Sequence, residues 1–292
     1  MTKEMLKKQI IPDITFSPDI KTENEIAEFQ NMILSFYRFH GRHDMIWRNT
    51  ANPYYILVSE IMLQQTQVER VAIKYPIFIE RFPDIQTLST APVSEVIRQW
   101  QGMGYNRRAI ALKKCAERID NEYGGHVPQN PRILETFPGI GPATASSICA
   151  FAFNLPVIFI ETNIRRVYIH YFFRDKTEIS DNHILPLVEK TLYREDPRSW
   201  YYALMDLGSA LKRGIPNPNR RSSGYTKQSP FEGSDRRLRG LIVSFLIDTA
   251  PATLENVAHS VNEPTDRIRH LLDILEKEGF VRKEQDQYFL SD

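Results

Sequence analysis

A tight turn between two apolar helical segments most constrains how this chain can fold. The turn reads Phe137-Pro138-Gly139-Ile140-Gly141-Pro142. Glycine has no Cβ, so it lets the backbone turn sharply and approach another molecule closely, and the helix that follows begins with unpaired N–H groups. Such groups favour an anion. The turn therefore predicts a connection between helices that binds phosphate, while a plain connector is the alternative interpretation of these residues alone.

Apolar residues at helical spacing dominate the chain up to residue 211. Glycine and proline stops separate the helical segments, and no alternating strand pattern occurs before residue 280. Residues 23–211 are therefore predicted to form an all-helical domain, preceded by an N-terminal extension at residues 1–22. After a first helix that begins near residue 23, helices are predicted at residues 55–70, 93–100, 107–122, 143–153, 163–173, 183–193 and 198–211.

Residues 212–234 have a different composition from the rest of the chain. Prolines, glycines and serines recur without a helical period, which predicts an irregular segment. Basic side chains outnumber acidic ones between residues 212 and 239. This local positive charge fits a polyanionic partner or an ordinary solvated surface.

Residues 235–292 combine three helical periods with a terminal hairpin pattern. Two short apolar segments flank a polar turn near the C-terminus, so this region is predicted to be a winged-helix-like domain. Winged helices commonly place their third helix in a DNA major groove, where Arg267, Arg269 and His270 would serve. The alternative is that this domain docks against a protein and does not contact DNA.

Composition and cysteine content narrow the class of protein. At 292 residues, with 42% hydrophobic and 25% charged side chains, the chain has the size of about two globular domains. Cys115 and Cys149 lie far apart in apolar helical contexts, which predicts core thiols rather than a disulfide or a metal site. The N-terminus lacks a signal-peptide core, and the longest apolar run is too short to span a bilayer. We therefore expect a cytoplasmic protein without membrane contact.

Glu60 lies in a helical segment that is apolar on most sides. Apolar residues precede it by one turn and Leu63 follows it, so desolvation should raise the pKa of Glu60 and keep a proton available near neutral pH. Gln64 and Gln67 continue the line at helical spacing, and their amides can pair with base edges. A glutamate satisfied by backbone donors is the alternative on these residues alone.

A series of motifs resembles the MutY-type adenine DNA glycosylases of the helix-hairpin-helix superfamily, which also contains endonuclease III. The resemblance covers roughly residues 30 to 211 and implies a fold of two helical lobes. The motifs, in order, are Trp47-Arg48, Asn52-Pro53-Tyr54, Ser59-Glu60-Ile61-Met62-Leu63-Gln64-Gln65-Thr66-Gln67-Val68, Trp100-Gln101-Gly102-Met103-Gly104-Tyr105, Gly124-Gly125-x-Val127-Pro128, Pro138-Gly139-Ile140-Gly141-x-x-Thr144-Ala145 and Asn163-Ile164-x-Arg166-Val167.

The resemblance implies two catalytic carboxyl groups. Glu60 matches the acid that protonates the target adenine, and Glu161 stands where the family has its catalytic aspartate, with Asn163 as its polar partner. Cleavage of an N-glycosidic bond needs a protonated leaving base and a negative charge beside the developing oxocarbenium sugar. Ala143 occupies the position of the lysine nucleophile of bifunctional relatives, so no Schiff base can form there.

The resemblance also implies the residues that contact DNA. Leu63 and Gln65 match residues that probe or wedge the duplex, and Tyr105 matches the residue inserted beside the opposite base. Such residues are needed because the target base must leave the stack. The candidate DNA-binding residues are Leu63, Gln64, Gln65, Tyr105, Gly139, Gly141, Thr144 and Asn163, with Arg220 and Arg221 of the irregular segment as further phosphate contacts.

The sequence departs from the family pattern at three places. Glutamate replaces aspartate at position 161, which moves the charge unless the backbone recedes. The family's four cluster-binding cysteines align near Lys212, Asn219, Ser222 and Gln228, none of which is a thiolate ligand, so no iron-sulfur cluster, other metal or cofactor is expected. The pyrophosphohydrolase-like C-terminal domain of typical members is replaced by the shorter winged-helix-like domain.

These observations predict a monofunctional DNA glycosylase of base excision repair. We expect a monomer that acts on double-stranded DNA at the nucleoid and excises adenine opposite 8-oxoguanine or guanine. One alternative is a glycosylase for uracil or thymine opposite guanine, or for another damaged base. A catalytically silent lesion binder or winged-helix regulator is the alternative from a different class.

Overall fold

The computed structural model describes residues 11–226 and 232–292. The predicted N-terminal extension up to residue 10 and residues 227–231 of the predicted irregular segment, including Gln228, lie outside the described residues. The described residues form two compact units. The first comprises residues 11–56, 129–132 and 141–226, and the second comprises residues 57–128, 133–140 and 232–292.

Most of the described chain is helical, which confirms the all-α prediction. The helices, in chain order, are α1 (Glu23–His40), α2 (Pro53–Leu63), α3 (Val68–Arg81), α4 (Ile85–Thr90), α5 (Val93–Trp100), α6 (Arg107–Tyr123), α7 (Pro131–Leu134), α8 (Pro142–Phe153), α9 (Thr162–Phe172), α10 (Asp181–Thr191), α11 (Pro197–Gly214), α12 (Asp235–Thr249), α13 (Leu254–Val261) and α14 (Thr265–Lys277). Short 3-10 turns lie at Ile46–Arg48 and Pro218–Arg221, and the strands are β1 (Ala252–Thr253), β2 (Val281–Glu284) and β3 (Gln287–Leu290).

Side-chain caps explain where several helices begin. Thr22 and Glu25 form a reciprocal capping box at the start of α1, and the Asp196 and Ser234 side chains accept backbone N–H groups at the starts of α11 and α12. These bonds satisfy donors that have no partner within the helix. At the C-terminal end of α6, Gly124 takes a left-handed conformation, which ends the helix without strain.

The core of the first unit is aromatic and lies between α1, α9 and α11. The ring of Phe29 lies 4.9 Å from that of Phe172 and 5.9 Å from that of Trp200, both in edge-to-face geometry. The buried carboxylate of Asp206 binds Arg48 and Arg42 at the rim of this core. Burial opposes ionisation of Asp206, but the two guanidinium groups outweigh it and hold its pKa below the ordinary value.

The single helix that the sequence predicts at residues 55–70 is divided between two helices in the structure. Residues 55–70 were expected to be continuous, but α2 ends at Leu63 and α3 begins at Val68. Gln65 has a φ of 53°, a left-handed conformation that no α-helix accommodates. The prediction that Gln64 and Gln67 continue the helical line of Glu60 is therefore wrong, because both residues lie in the connection.

A buried arginine holds this connection. The side chain of Arg108, in the first turn of α6, is 8% exposed and lies in the second unit. It is not among the residues that the motif analysis identified. Its guanidinium donates to the carbonyl oxygens of Ile61, Met62 and Gln64 at 2.9, 2.9 and 2.6 Å, to the hydroxyl of Thr66 at 2.9 Å, and to the carbonyl oxygens of Met103 and Gly104 at 3.3 and 2.8 Å.

The C-terminal region forms the predicted three helices and hairpin, with one additional strand. β1 pairs antiparallel with β3, which also pairs with β2, so the sheet has the order β1-β3-β2. Two residues are too short a segment to show a strand period, which is why the sequence pattern missed β1. The domain boundaries at residues 22, 211 and 234 stay predictions.

The C-terminal region packs against α5 and α6 within the second unit. Ile97 and Ile110 belong to the same hydrophobic cluster as Leu238, Ile242 and the other buried residues of α12 to α14. Polar contacts surround this apolar interface. They join Gln101 to Ser244 at 2.8 Å, Ser94 to Asp292 at 3.1 Å and Arg107 to Glu278 at 2.5 Å.

Replacing Arg108 with methionine (R108M) should lower the free energy of unfolding by about 3 kcal/mol, because several buried carbonyl groups lose their donor. Urea unfolding would measure this loss. Hydrogen exchange should show that backbone amides at residues 64–67 and 102–105 lose protection. Lys114→Met on the exposed face of α6 is the matched control, and equal unfolding midpoints for the two variants would contradict the role of Arg108.

Candidate active site

Glu60 lies in the last turn of α2, in the second unit. Its neighbours Ser59, Ile61 and Met62 are buried, whereas Glu60 itself is half-buried. The carboxyl group is thus carried by a mostly apolar helix and retains partial access to solvent. This is a suitable position for proton transfer to a bound base, although the predicted rise of its pKa stays a prediction.

Gln64 joins the connection after α2 to the glycine turn. Its side-chain Nε2 donates to the carbonyl oxygen of Gly139 at 3.1 Å. Gly139 has a φ of 75°, and a Cβ there would lie 2.9 Å from the Cβ of Ala111. Both the conformation and the close approach therefore require glycine, as the sequence indicated. Gly139 is exposed, so its backbone is accessible to a partner.

The end of α2 and the loop before α6 carry Leu63, Gln65 and Tyr105, which the family resemblance implies to be residues that probe the duplex. Leu63 is half-buried and Gln65 is exposed, in the connection that Arg108 holds. Tyr105 has a φ of 46°, which is uncommon for a residue with a large side chain. Strained conformations of this kind occur where the surrounding structure fixes a functional side chain.

Gly141 and Thr144 lie at the start of α8, in the first unit. Gly141 is the N-terminal capping residue of this helix and is exposed, and Thr144 in the first turn is half-buried. The N–H groups at the start of the helix are oriented toward this end, as phosphate binding requires. Their predicted contact with DNA stays a prediction.

Glu161 is the N-terminal capping residue of α9. Its Oε1 accepts the backbone N–H groups of Asn163 at 2.7 Å and Ile164 at 2.9 Å, and its Oε2 accepts the side-chain amide of Asn163 at 3.3 Å. Burial raises the pKa of Glu161, while these N–H groups and the charges of Arg166 and Arg165 oppose the rise. The carboxyl group is therefore held in one orientation.

A buried arginine supports this arrangement. Arg166 is 2% exposed and donates to the side-chain oxygen of Asn163 at 2.7 Å and to the carbonyl oxygen of Gly208 at 2.6 Å. A Cβ at Gly208 would overlap the carbonyl oxygen of Asn163, so glycine permits the close approach of α9 and α11. Arg166 lay within a motif of the sequence, but its position at the centre of the network was not predicted.

The segment that aligns with the cluster loop of the family is held by side-chain hydrogen bonds. Asn217 accepts from Arg166 at 3.0 Å, and the buried Asn219 donates to the carbonyl oxygen of Thr162 at 2.9 Å. Arg221 donates to the carbonyl oxygens of Ile169 and of Phe173 and Arg174 at the end of α9. These amide and guanidinium groups do not fit a cluster, because they supply no thiolate.

The two candidate arginines of this segment differ. Arg220 is exposed, whereas Arg221 is half-buried and directs its guanidinium at the carbonyl groups that end α9. Positive charge at that end of a helix is favourable. Arg221 thus has a structural role in the first unit, and the contact of either arginine with phosphate stays a prediction.

Both cysteines are buried thiols. Cys115 donates to the carbonyl oxygen of Pro138 at 3.3 Å, and burial raises the pKa of Cys115 to about 12 and that of Cys149 to about 11. In the ranges 11–226 and 232–292, no group of three or more histidine, cysteine, aspartate or glutamate side chains could hold a metal ion. Among the same residues, no helix is long and apolar enough to cross a membrane.

A cavity of about 870 Å³ opens within the second unit. The connection after α2 and the loop before α6 line one side, and α12 with the end of α14 lines the other. Its polar lining includes Gln64, Gln65, Tyr105, Arg107, Arg236 and Arg239. The cavity therefore brings three sequence-predicted DNA-binding residues together with arginines of the C-terminal region.

Comparison with known proteins relates the chain to DNA repair enzymes. Residues 58–190 match the HhH-GPD superfamily of base excision DNA repair proteins. Over 187 residues the chain is 37% identical to the adenine DNA glycosylase of Buchnera aphidicola subsp. Baizongia pistaciae. This aligned region covers 63% of this chain and 52% of that protein. The chain thus spans about half the length of this relative.

A second relative aligns over most of its length, and one solved structure shares the fold. The chain is 33% identical over 276 residues to the adenine DNA glycosylase of Mycolicibacterium smegmatis. This aligned region covers 88% of this chain and 94% of that protein. A thermostable thymine-DNA glycosylase superposes with a TM-score of 0.56 and 27% identity, over 63% of this chain and 86% of that chain. The resemblance found from the motifs is confirmed: the chain belongs to the adenine DNA glycosylase family of the HhH-GPD superfamily.

Proposed function

We propose that this protein is a monofunctional DNA glycosylase that hydrolyses the N-glycosidic bond of adenine mispaired with 8-oxoguanine or guanine in double-stranded DNA. The observation that carries the proposal is the fixed carboxyl group of Glu161, which three hydrogen bonds hold at the start of α9. A negative charge that cannot reorient is suited to stabilise a developing oxocarbenium ion. Relatives named adenine DNA glycosylase support adenine as the base.

In this mechanism Glu60 donates a proton to the departing base. Protonation of the leaving group is typically worth about 10² to 10⁴ in rate. Water then adds to the sugar carbon and its released proton returns to the Glu60 carboxylate, which regenerates the acid, and the products are free adenine and an abasic site. Ala143 has no amine, so no Schiff base forms at that position and the strand stays intact.

We further propose that the enzyme works without an iron-sulfur cluster. The hydrogen bonds of Asn217, Asn219 and Arg221 support this proposal, because they give the cluster-equivalent segment an alternative means of fixation. We also propose a monomer at the nucleoid in the cytoplasm, with duplex DNA as its partner and no membrane contact.

The second candidate is removal of thymine or uracil opposite guanine. The similarity to a thymine-DNA glycosylase at 27% identity favours it. A panel of duplexes that contain adenine opposite 8-oxoguanine or guanine, and thymine or uracil opposite guanine, would separate the two activities once abasic sites are cleaved with alkali. We expect strand breaks only in the adenine duplexes. Breaks confined to pyrimidine duplexes would reject the adenine assignment.

Glu60→Gln should reduce the single-turnover rate of adenine release by at least about 10²-fold, because the amide cannot supply the proton. Affinity for the duplex should change less than about twofold, since neither side chain carries a positive charge that binds phosphate. Glu69→Gln, an exposed residue in the first turn of α3, is the matched control. Unchanged turnover in E60Q would remove Glu60 from the mechanism.

Glu161→Gln should lower the single-turnover rate by about 10² to 10³-fold while the protein stays folded, because the amide oxygen can still cap α9 but carries no charge. The carboxylate form of Glu161 is the active one, and burial raises its pKa. Activity should therefore be lost, as pH falls, at a higher pH than an ordinary glutamate would give.

Single-turnover rates measured over a series of pH values would show the pH at which activity is lost. Glu189→Gln, on the exposed face of α10, serves as the control and should keep the wild-type profile. An E161Q variant with wild-type rates at neutral pH would show that the charge at this position is not used.

A further inference from the structure

Several basic side chains of the second unit already have an acceptor. Arg107 and Arg239 both bind the carboxylate of Glu278. Arg236, in the first turn of α12, donates to the hydroxyl of Tyr105 at 2.9 Å. A positive group beside a carboxylate attracts a further anion less, because the two charges offset each other. Basic groups without such a partner are therefore better suited to bind an anion from outside the protein.

The third helix of the C-terminal region also has its arginine paired. Arg267 was expected to serve in a DNA major groove, but it binds Glu263 at 3.0 Å and Asp235 at 2.8 Å. The exposed residues of α14 include Asp266 and Asp273 as well as basic ones. This helix thus offers a phosphate a surface of mixed charge.

Two basic side chains in the first half of α3 differ from these. Arg70 is exposed and Lys74 is half-buried. Across residues 11–226 and 232–292, neither side chain has a hydrogen-bond or ion-pair partner. Residues four apart lie on one face of a helix, with their Cβ atoms about 5 to 6 Å from each other. The two positive charges therefore share one face of α3.

The same face has no acidic side chain close to these charges. The positions one turn before or after either residue carry uncharged side chains, namely those of Thr66, Gln67, Val71, Ile73, Ile77 and Phe78. Glu69 is exposed, but it precedes Arg70 directly, and successive residues of a helix do not face each other. The positive charge on this face is thus left without a compensating carboxylate from its own helix.

The cavity of the second unit lies beside this face. Arg70 lines the cavity together with Gln65 and Gln67 of the connection after α2. Lys74 lies against the loop before α6, because a Cβ placed on Gly102 would be 3.7 Å from the Cε of the lysine. Lysine stems commonly pack in this way while the ammonium group reaches water. The two charges therefore accompany the connection and the loop that the family resemblance places on the duplex.

We propose that Arg70 and Lys74 form a phosphate-binding surface on α3 that binds the DNA backbone beside the cavity. This inference rests on the proposed function in that it takes double-stranded DNA as the partner. Neither residue belongs to the motifs of the sequence. The guanidinium group of Arg70 can bind two oxygen atoms of one phosphate, and Lys74 adds a point charge. Both residues bind DNA, and neither takes part in bond cleavage.

Arg70→Ala and Lys74→Ala should each weaken duplex binding about tenfold at roughly 0.1 M salt and reduce the slope of log affinity against log salt concentration by about 1. The double variant R70A/K74A should reduce the slope by about 2. Fluorescence anisotropy over a salt series measures both quantities and does not require catalysis. The probes are a duplex with a stable abasic analogue opposite 8-oxoguanine and an undamaged duplex of the same sequence. Both affinities should fall by the same factor, because a phosphate contact carries no sequence information.

Arg81→Ala is the matched control. Arg81 is an exposed arginine on the same helix, about 16 Å beyond Arg70, but Glu95 compensates its charge. R81A should therefore keep the wild-type affinity and salt slope. Arg70→Lys keeps a positive charge at the first position and should also keep the wild-type slope. Unfolding midpoints by circular dichroism establish that all variants are folded.

The outcomes are distinguishable from those that test the activity. Wild-type affinity and salt slope in R70A/K74A would overturn the inference even if the protein releases adenine. Equal losses in R81A and R70A would also overturn it, because the effect would then not depend on an uncompensated charge. Weakened binding in R70A/K74A, in a protein that releases no base from any duplex, would support the inference and reject the proposed activity.

Discussion

The arrangement of the second unit depends on one buried guanidinium group. The end of α2 and the loop before α6 both direct backbone carbonyl groups at this arginine, and carbonyl groups are costly to bury when they lack donors. Arg108 supplies donors to both segments at once. Burial lowers the pKa of Arg108 to about 10, which still leaves the group charged at neutral pH. The charge strengthens each of these hydrogen bonds.

The first unit uses the same device at a second place. Arg166 binds Asn163, the carbonyl of Gly208 and Asn217, and so joins α9, α11 and the segment that aligns with the cluster loop. Glu161 is fixed by the same helix start. Short side chains are preferred as N-terminal caps, but the longer glutamate also reaches the N–H groups of Asn163 and Ile164. Its carboxyl group therefore lies beside the start of α9 despite the additional methylene.

The sequence predicted the helices that have a clear apolar period, and it predicted α5 with its observed limits, Val93–Trp100. It failed at the connection after Leu63, because hydrophobic spacing continues through Val68 while the break depends on Arg108, 45 residues beyond Leu63. A signal was present: Arg108 shares one face of α6 with Leu112, Cys115 and Ile119. An arginine at a core position indicates buried acceptors.

Contacts between distant segments are harder to predict than local structure. The motifs identified Tyr105, and the local positive charge included Arg236, but no periodicity relates the two residues. Their contact arises because Ile97 and Ile110 share a hydrophobic cluster with α12 to α14. The compact unit therefore joins residues 57–128 with residues 232–292, whereas sequence reasoning assigns consecutive segments to separate domains.

The two guanidinium groups together define the conformation of Tyr105. Arg108 binds the backbone carbonyl of Gly104 next to it, and Arg236 binds its hydroxyl. Both ends of the residue are thus held, which stabilises a φ of 46° that an isolated tyrosine would rarely adopt. A side chain fixed during folding loses little conformational entropy when a partner binds. The side chain of Tyr105 is therefore ordered before any partner binds, and this preorganisation depends on both the α6 arginine and the C-terminal region.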